Sequence, residues 1–584
     1  MPSHHQNPIF TAMLQPGSYP HPVTAITVQE THISKVFLTG RWVYKIKKAV
    51  NFGFLDFSTL AQRHHFCQRE IELNRRLTSG VYKDVVAITL NGEGYRIAGD
   101  GRAVEYAVRM RQLADGDTLS SRLRRGSIDA AQIERLASRL LAFYETCPRV
   151  SRSTAESIRQ TVRQACRQNF QQLQSKRDML HDNDRLDRVQ SATEAFLATK
   201  KHLFNRRVDQ GHVRDCHGDL RCDHIYFSPD GAIQIIDCIE FNDQLRHIDI
   251  VSDLAFLTMD LDRKGFPHDG DLIIQTYADR SGDAAGLALL PFYQCYRAMV
   301  RCKVNCLAMP TAEEEPCRER AHRQSARRYL ALAEAYAHRF DTPVLYAMCG
   351  LPGTGKSTLA RALAEALAGP VYRSDVERKR LFGASPRRNR APQAHPDLYT
   401  PAAHHQTYDC LMNRARTELG RGQSLILDAT FGHSIFRQQA RELADTYGAR
   451  IVFILCRLPM TKVKTRLRQR ETAPGISDAR WETLPAIIKR FSAPTADPAR
   501  DVLSIDTSRP INHCLAEVLL AVTRTAGRNR PGMEVAPPDT GKGERHDQNH
   551  SGRHRPGDRT RRAGPFGGKT RRPVPGQPVH PPCS

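Results

Sequence analysis

The sequence predicts an α+β domain, then a parallel α/β domain, then a basic tail without folded structure, and three observations support this order. Residues 350–357 form a glycine-rich loop between an apolar strand and a helix, as in phosphate-binding parallel sheets. A proline-containing break at residues 341–343 precedes that strand. Residues 525–584 hold ten prolines and ten glycines with almost no apolar periodicity, which predicts disorder. We therefore expect domains over residues 28–338 and 341–524.

The first domain begins with strands and becomes helical. Two short apolar runs, 32–38 and 41–46, flank Thr39-Gly40, which predicts a β-hairpin. The remaining pattern predicts, in order, a helix over 60–78, helices over 128–203, a strand–loop–strand segment over 213–239, and helices over 250–338. A chain of 584 residues is too long for a single core, so its length agrees with separate domains.

The composition is that of a globular protein with reduced cysteines. Hydrophobic residues make up 40% and charged residues 25% of the chain, enough to build real cores. It has no run of about 18 apolar residues and does not begin like a secretory signal, so we expect a cytoplasmic protein without membrane contact. Fifteen cysteines without a CxxC pair favour free thiols over disulfides or zinc.

The net charge of +24 raises the question of an anionic partner. The tail carries twelve Lys or Arg against five Asp or Glu, so the folded part is only moderately basic. Pockets that handle phosphate are cationic in any case. A small-molecule acceptor is therefore favoured, and a nucleic acid held by the tail is the alternative.

The loop of the second domain matches G-x-x-x-x-G-K-[ST] at every position. Its residues are Gly350, Leu351, Pro352, Gly353, Thr354, Gly355, Lys356 and Ser357, with Thr358 next on the helix. The backbone N–H groups and helix dipole of such a loop bind phosphate oxygens. We expect Lys356 to contact the β and γ phosphates of ATP and the Ser357 hydroxyl to ligate Mg²⁺.

Two carboxylates are expected beside this loop. Asp428 ends a second strand over 424–427, where a phosphate-loop enzyme holds the carboxylate that binds magnesium; a helix-capping role is the alternative. Asp375 follows a short strand over 370–372 and is the candidate general base.

Two arginines predict a lid over the transferring phosphoryl group. Arg466 and Arg470 lie four residues apart on one helix face, and Gly475 and Ser477 follow in a loop. Arginines that close over the site would stabilise its charge, whereas a solvated basic face is the alternative.

The segments GLPGTGKST, RSDVERKR, LILDATF and RLRQRE resemble the small P-loop kinases of metabolites and nucleic-acid ends, often described as AAA-type ATP-binding domains. The resemblance covers about residues 344–510. It implies that Asp375 activates the acceptor and that Arg378 contacts the acceptor or the phosphates.

The first domain carries a second pair of carboxylates. Asp219, in His217-Gly218-Asp219-Leu220, precedes Asp237 at the end of an apolar strand by 18 residues. One carboxylate can orient an acceptor hydroxyl while the other holds Mg²⁺. This pattern resembles the aminoglycoside phosphotransferase family, which has a protein-kinase-like fold, over about residues 30–330.

That resemblance implies a role for each matching residue. Asp219 would be the catalytic base and Asp237 the metal ligand. Lys45 would pair with the phosphates, with Lys47 as a less favoured substitute, and Glu70 would be its ion-pair partner. Two further expectations are that residues 105–108 form the strand whose backbone meets adenine and that Asp249 and Asp253 support the catalytic loop.

One position departs from the family pattern HGDxxxxN, because His224 stands where the family has Asn. Histidine can ligate a divalent cation through a neutral nitrogen but matches hard Mg²⁺ less well than an amide oxygen. The first domain is therefore expected to be an active kinase, a slow one, or a nucleotide-binding pseudoenzyme.

The order of domains resembles bacterial bifunctional fusions of an aminoglycoside phosphotransferase-like domain with a P-loop ATP-binding domain. We expect an ATP-dependent phosphotransferase that acts on hydroxyl groups of small molecules. Basic residues at Arg297, Arg301 and Lys303 favour an anionic acceptor for the first domain. The alternatives are a polynucleotide 5′-hydroxyl kinase and a pseudokinase-regulated ATP-binding protein.

Overall fold

The structure is a computed structural model that describes residues 6–53, 55–92, 94–150, 152–310, 315–383, 398, 400–471, 481–494 and 501–525. The side chains of residues 152–159, 470, 471, 524 and 525 are outside this description, as is the predicted tail beyond residue 525. The described residues belong to one compact unit.

A six-stranded antiparallel sheet forms the first part of the chain. Its strands are β1 (Thr27–Glu30), β2 (Ser34–Leu38), β3 (Trp42–Lys47), β4 (Tyr82–Asn91), β5 (Gly94–Ile97) and β6 (Arg102–Arg111), in the order β1-β2-β3-β6-β4-β5. The predicted hairpin is β2 and β3, and Gly40 in its turn has a φ of 92°, which favours glycine. Helix α1 (Asn7–Ala12), which the sequence analysis missed, packs Phe10 against this sheet.

Helices and two small hairpins follow. The helices are α2 (Leu60–Asn74), α3 (Leu119–Arg124), α4 (Ala130–Thr146), α5 (Arg152–Gln174), α6 (Arg177–Leu180), α7 (Asn183–Thr199), α8 (Lys201–Asp209), α9 (Ile250–Lys264), α10 (Pro267–Ser281), α11 (Leu290–Leu307) and α12 (Pro316–Asp341). The short strands are β7 (Val213–Asp215), β8 (Ile225–Phe227), β9 (Ile233–Ile235) and β10 (His247–Asp249). Helix α2 begins at a capping box between Thr59 and Gln62, which satisfies its first backbone N–H groups. Helices α11 and α12 form an antiparallel pair beside α9.

The second part is the predicted parallel α/β layer structure. Its strands are β11 (Val344–Cys349), β12 (Val371–Arg373), β13 (Leu425–Asp428), β14 (Arg450–Arg457) and β15 (Val502–Asp506), in the order β12-β13-β11-β14-β15. All neighbours are parallel, so their carboxyl ends lie at one edge. The helices are α13 (Lys356–Leu367), α14 (Ser374–Leu381), α15 (Pro401–Leu419), α16 (Ser434–Thr446), α17 (Met460–Glu471), α18 (Leu484–Arg490) and α19 (Ile511–Thr525).

The two parts share a hydrophobic core. Helix α19 packs on α10 and on the 3₁₀ segment Ala284–Leu289, which also contacts α13. Leu287 and Leu519 therefore belong to one buried cluster. His513, whose Nε2 accepts from Arg509, donates its Nδ1–H to Asp279 Oδ1 at 2.9 Å beside this contact.

The described cysteines are free, and all except Cys317 and Cys410 are buried, as the absence of CxxC pairs predicts. Among the described helices, none combines the length and the apolar character needed to cross a membrane.

Candidate functional site

Lys45, Glu70 and Asp237 converge from three distant segments. Strand β3 carries Lys45, helix α2 carries Glu70, and Asp237 follows β9. The Lys45 Nζ lies 2.9 Å from Glu70 Oε1 and 2.7 Å from Asp237 Oδ1. Burial lowers the pKa of Lys45, but the two carboxylates outweigh burial and hold that pKa well above its usual value. The ammonium group is therefore a fixed positive charge at this site.

Lys47 has a structural environment. Its side chain is fully buried, contacts Glu70 Oε2 at 2.8 Å, and makes a short contact with Glu240. The ammonium group also lies 4.9 Å from the ring centre of Phe57. Lys45 is the lysine that meets Asp237, which supports the preference for Lys45 over Lys47.

Replacing Lys47 by Met should destabilise the protein, because Glu70 and Glu240 would be left as buried charges without this partner. Loss of one partner of a buried pair costs about 3–5 kcal/mol. Urea unfolding should therefore show a lower free energy of unfolding. The exposed Lys83→Met variant is the matched control. A loss below about 1 kcal/mol, the size of an exposed pair, would contradict this role for Lys47.

The loop that carries Asp219 is held rigidly. The Asp253 carboxylate accepts hydrogen bonds from the backbone N–H of His217 (3.1 Å) and of Gly218 (2.9 Å). Gly218 has a φ of 87°, and a Cβ there would lie 2.8 Å from Leu245 O, so glycine is required. On the opposite side, Arg297 Nη1 donates to Gly218 O at 3.1 Å. The predicted supporting role of Asp253 is therefore confirmed.

Asp249 does not contact this loop. It forms an ion pair with Arg207 at 2.8 Å and caps α9 by accepting from Val251 N at 3.0 Å. The predicted direct support of the loop by Asp249 is wrong, because its carboxylate is engaged by the helix start and by α8.

Asp219, His224 and Asp237 lie together. One ligand atom from each, a carboxylate oxygen or an imidazole nitrogen, falls within 4.8 Å of the others. His224 Nδ1 is 2.9 Å from Asp219 O, and its Nε2 is 2.7 Å from Arg221 Nη2. Since Arg221 can only donate, Nε2 accepts and Nδ1 carries the proton. Burial and Arg221 also lower the pKa of His224, so a neutral imidazole faces the two carboxylates.

Both carboxylates remain ionised near neutral pH. Burial raises the pKa of Asp219, but Arg221, at 3.1 Å from Oδ1, more than offsets it. Burial likewise raises the pKa of Asp237, and Lys45 offsets it there. The pKa of each group lies below its ordinary value.

Asp237 has an unusual backbone conformation. Its φ is 66°, in the left-handed region that non-glycine residues rarely adopt. The neighbouring Cys238 N donates to Asn74 Oδ1 at 2.9 Å, and Asn74 is fully buried. Packing thus holds a strained conformation at one carboxylate of the cluster, as functional sites often do.

The expectation that residues 105–108 meet adenine is wrong. They lie inside β6, which pairs with β3 on one side and β4 on the other. Ala107 and Val108 pair with both neighbours, and Glu105 and Tyr106 pair with β4, so the backbone of this segment serves the sheet and not a nucleotide base. Glu105 is fully buried, and Arg63 Nε donates to both its carboxylate oxygens at 3.0 Å.

The glycine-rich loop joins β11 to α13 with the geometry that its motif predicts. Gly350, Gly353 and Gly355 have φ values of 126°, 84° and 93°. The Lys356 Nζ donates to Leu351 O at 2.8 Å across the loop. Thr507, just after β15, donates its hydroxyl to Thr354 O at 2.6 Å. The loop is thus closed on itself and anchored to the edge of the sheet.

Asp428 lies beside this loop at the carboxyl edge of the sheet. It pairs in register with Met348 of β11, and Gly350 N donates to Thr430 O at 3.2 Å. Arg373 Nε donates to Asp428 Oδ2 at 3.0 Å. Carboxylate and hydroxyl oxygens suit a divalent cation, so Asp428 and Ser357 stay the predicted ligands of Mg²⁺.

Asp375 and Arg378 lie on α14 at the same edge of the sheet. Arg378 Nη1 is 3.3 Å from Asp375 Oδ1, and the Asp375 side chain is about one-third exposed. A partly exposed carboxylate that follows a parallel strand is accessible to an acceptor, as a general base requires.

Arg466 lies over the glycine-rich loop, as the lid prediction requires. Helix α17 packs so closely that a Cβ on Gly353 would lie 3.1 Å from Leu467 Cγ. Arg466 Nη2 donates to Thr507 O at 3.2 Å, and its Nη1 lies 3.4 Å from the position of a Cβ on Gly355. The side chain of Arg470 and residues 475 and 477 lie outside the described residues.

Protonation of His404, on helix α15, makes the stability of the folded protein depend on pH. Burial, Arg378 and His433 lower its pKa from 6.5 to about 4. Between these values the unfolded chain binds a proton that the folded protein does not, so stability decreases as pH falls from about 6.5 to 4. The urea midpoint of His404→Gln should therefore decrease less between pH 7.5 and 5 than that of the unmodified protein. His405→Gln, its exposed neighbour, should retain the full decrease, and an equal decrease in all three would contradict the assignment.

Two site residues were missed from the sequence. Arg221 contacts both oxygens of Asp219, at 3.1 and 3.2 Å, and Arg373 contacts Asp428. Arg221 lies two residues after Asp219, and Arg373 two before Asp375, so proximity to a predicted carboxylate was the available signal.

Residues 345–494 match the model of a family described as an AAA domain, which confirms the P-loop domain predicted there. The chain is 34% identical over 474 residues to the uncharacterized proteins Mb2027c of Mycobacterium bovis and Rv2004c of Mycobacterium tuberculosis, covering 80% of this chain and 91% of each relative.

Two solved kinases are similar to part of the chain. A gluconokinase from Sinorhizobium meliloti 1021 is 18% identical and covers 32% of this chain and 94% of its own, with a TM-score of 0.24. The APS kinase CysC of Mycobacterium tuberculosis is 18% identical and covers 31% of this chain and 98% of its own, with a TM-score of 0.23.

Proposed function

The chain belongs to the same family as the mycobacterial proteins Mb2027c and Rv2004c, and we propose that it is an ATP-dependent phosphotransferase with two kinase-like sites. Each site transfers the γ phosphoryl group of ATP to a hydroxyl group of a small molecule. The first belongs to a domain of protein-kinase-like, aminoglycoside phosphotransferase-like type, and the second to the P-loop domain.

The observation that carries the proposal is the convergence at the first site. Lys45 meets Asp237 across 192 residues of sequence, at 2.7 Å, and Asp219 lies in the same cluster. A fixed cation, an ion-pair partner and two ionised carboxylates are the groups that phosphoryl transfer needs, because positioning and charge stabilisation supply most of its rate. A purely structural cluster would not need a partly exposed carboxylate in a strained backbone conformation.

At the first site, Asp219 orients the acceptor hydroxyl and accepts its proton as the oxygen attacks the γ phosphorus. Its low pKa keeps it ionised and ready to accept a hydrogen bond. Lys45 exchanges its contact with Asp237 for the nucleotide phosphates. Asp237 would hold Mg²⁺, joined by His224 Nε2 once Arg221 leaves that nitrogen, and the bound ion would neutralise the phosphate oxygens.

At the second site, the loop at residues 350–357 and Lys356 bind the phosphates of ATP, and Ser357 and Asp428 would hold Mg²⁺. Asp375 is the base for the acceptor. Arg466 stabilises charge on the transferring group from above the loop, at no reorganisation cost. The proximity of Arg466 to Gly355 supports this role.

A second candidate function for the first site is nucleotide binding without turnover. Arg221 occupies both oxygens of the Asp219 carboxylate, and His224 replaces the amide expected at a metal position. A base that stays paired with an arginine does not accept a proton. In that case the first site would act as a sensor for the second.

The test is transfer of labelled γ phosphoryl from ATP with Mg²⁺ to a pool of sugars, sugar phosphates, aminoglycosides and oligonucleotides. The protein should label a small-molecule acceptor, and the combined Asp219→Asn and Lys356→Ala variant should label none. Labelling of oligonucleotides alone, with steep loss between low and moderate salt, would replace this proposal by a nucleic-acid-end kinase. No labelling of any acceptor by the unmodified protein would contradict it.

A further inference from the structure

Two helices each carry an arginine one turn beyond their contact with the Asp219 loop. In α9, Asp260 accepts a hydrogen bond from Cys222 N at 3.0 Å, and Arg263 follows three residues later. In α11, Arg297 donates to Gly218 O, and Arg301 follows four residues later. Residues three or four apart share a helix face, so both arginines lie on the side that faces the loop.

Both guanidinium groups meet at one aromatic ring. The Cζ atoms of Arg263 and Arg301 lie 5.5 and 5.8 Å from the ring centre of Tyr329 in α12. Tyr329 is buried, so its ring is a fixed platform that both guanidinium groups contact.

These two cations have no salt-bridge partner among the described residues. The neighbouring Lys264 is paired with Asp223 at 3.3 Å and with Asp260 at 3.5 Å. By contrast, neither Arg263 nor Arg301 forms an ion pair with a described side chain, and the Nε of each is buried without a hydrogen bond to a described residue. Two like charges at one ring repel each other, and a bound anion would relieve that repulsion.

Arg301 is also electrostatically linked to the loop that carries Asp219. Burial raises the pKa of Asp219, whereas Arg221, His224 and Arg301 lower it. The charge of Arg301 therefore reaches the position where the acceptor hydroxyl would lie.

We propose that Arg263 and Arg301, stacked on Tyr329, form an oxyanion subsite for the acceptor of the first site. The inference rests on the proposed function and names its substrate class, a hydroxyl compound that also carries a phosphate ester or a carboxylate. Arginine suits either group because its planar fork donates two parallel hydrogen bonds. One helical turn spans about 5.4 Å, so the anionic group lies several bonds from the reacting hydroxyl.

The first measurement is binding of inorganic phosphate, by calorimetry, to the full chain saturated with Mg²⁺ and a non-hydrolysable ATP analogue that fills the nucleotide sites. Replacing both Arg263 and Arg301 by Gln should weaken phosphate binding at least tenfold, because each charge-assisted contact is worth about that factor. Arg318→Gln is the control, since that side chain is exposed on α12. Replacing both arginines by Lys retains the charge but removes the planar guanidinium group, so the loss of phosphate affinity should be intermediate. This result would show that the loss in the Gln variant is not due to misfolding. Unchanged binding in the Gln variant would overturn the subsite.

The second measurement compares acceptors that differ only in charge: a sugar, its phosphate ester and its carboxylic acid. The Gln variant should raise KM for the anionic acceptors at least tenfold, with the neutral sugar unaffected, and the preferred anion identifies the class. If Asp219→Asn removes transfer but the Gln variant changes KM equally for all three acceptors, the proposed subsite is rejected and the proposed function stands. If Asp219→Asn changes no transfer, the proposed function fails, and phosphate binding alone decides the subsite.

Discussion

Replacing Asp219 by Asn is expected to lower phosphoryl transfer at the first site by about 10²- to 10⁴-fold, the range that a positioned general base contributes. Asparagine has nearly the same shape, but it cannot accept the acceptor proton. The Asp253 carboxylate and Arg297 hold the backbone of this loop, so the substitution should not unfold it. The measurement is initial rate with labelled ATP, together with calorimetric ATP affinity, which should change little.

Asp100→Asn is the matched control, because Asp100 is exposed and far from the cluster in sequence. It should retain full transfer. Retained transfer in Asp219→Asn would remove this residue from the chemistry and leave the first site as a nucleotide sensor.

Replacing Lys356 by Ala should lower transfer at the second site by about 10²- to 10³-fold, since one preorganised donor to the developing phosphate charge is worth that much. The loop itself should persist, because its glycines and the Thr507–Thr354 contact do not depend on the ammonium group. The rate is measured with the acceptor that the first-site variant still phosphorylates. ATP affinity should fall as well, which distinguishes this variant from Asp219→Asn.

The control for Lys356 is Lys489→Ala, a charge change at an exposed residue of α18 in the same part of the chain. Loss of one acceptor's phosphorylation in Lys356→Ala and of another's in Asp219→Asn is the expected result for two working sites. If Lys356→Ala abolishes transfer to every acceptor, the second site would be the sole enzyme.

The glycine-rich loop could be predicted in full because its chemistry is local. Eight consecutive residues specify the turn, the helix start and the lysine, and the surrounding strand confirms their place. Asp428 followed from the same logic, since a parallel strand ends at the edge where the loop begins.

The first site could be predicted only in outline. Lys45, Glu70 and Asp237 were correctly brought together through a family pattern, but apolar spacing alone does not report pairing between strands. Residues 105–108 were expected to meet adenine, although β6 lies between two partner strands. The role of Arg263 depends on its rotamer and on contacts between helices, which no sequence spacing encodes. Arg221 was signalled only by its proximity to Asp219, and Arg301 only by the basic character of its segment.

The core shared by α19, α13 and the segment Ala284–Leu289 has a consequence for how the molecule unfolds. If either half unfolded first, Leu519 or Leu287 in the other half would be exposed to water, because each half covers apolar surface of its neighbour. The halves therefore form one cooperative folding unit despite having separate sheets. Ligand bound at either proposed nucleotide site would protect the whole unit by mass action. In the fused chain, the stability of each site against unfolding therefore depends on ligand occupancy of the other site, without a conformational change that links them.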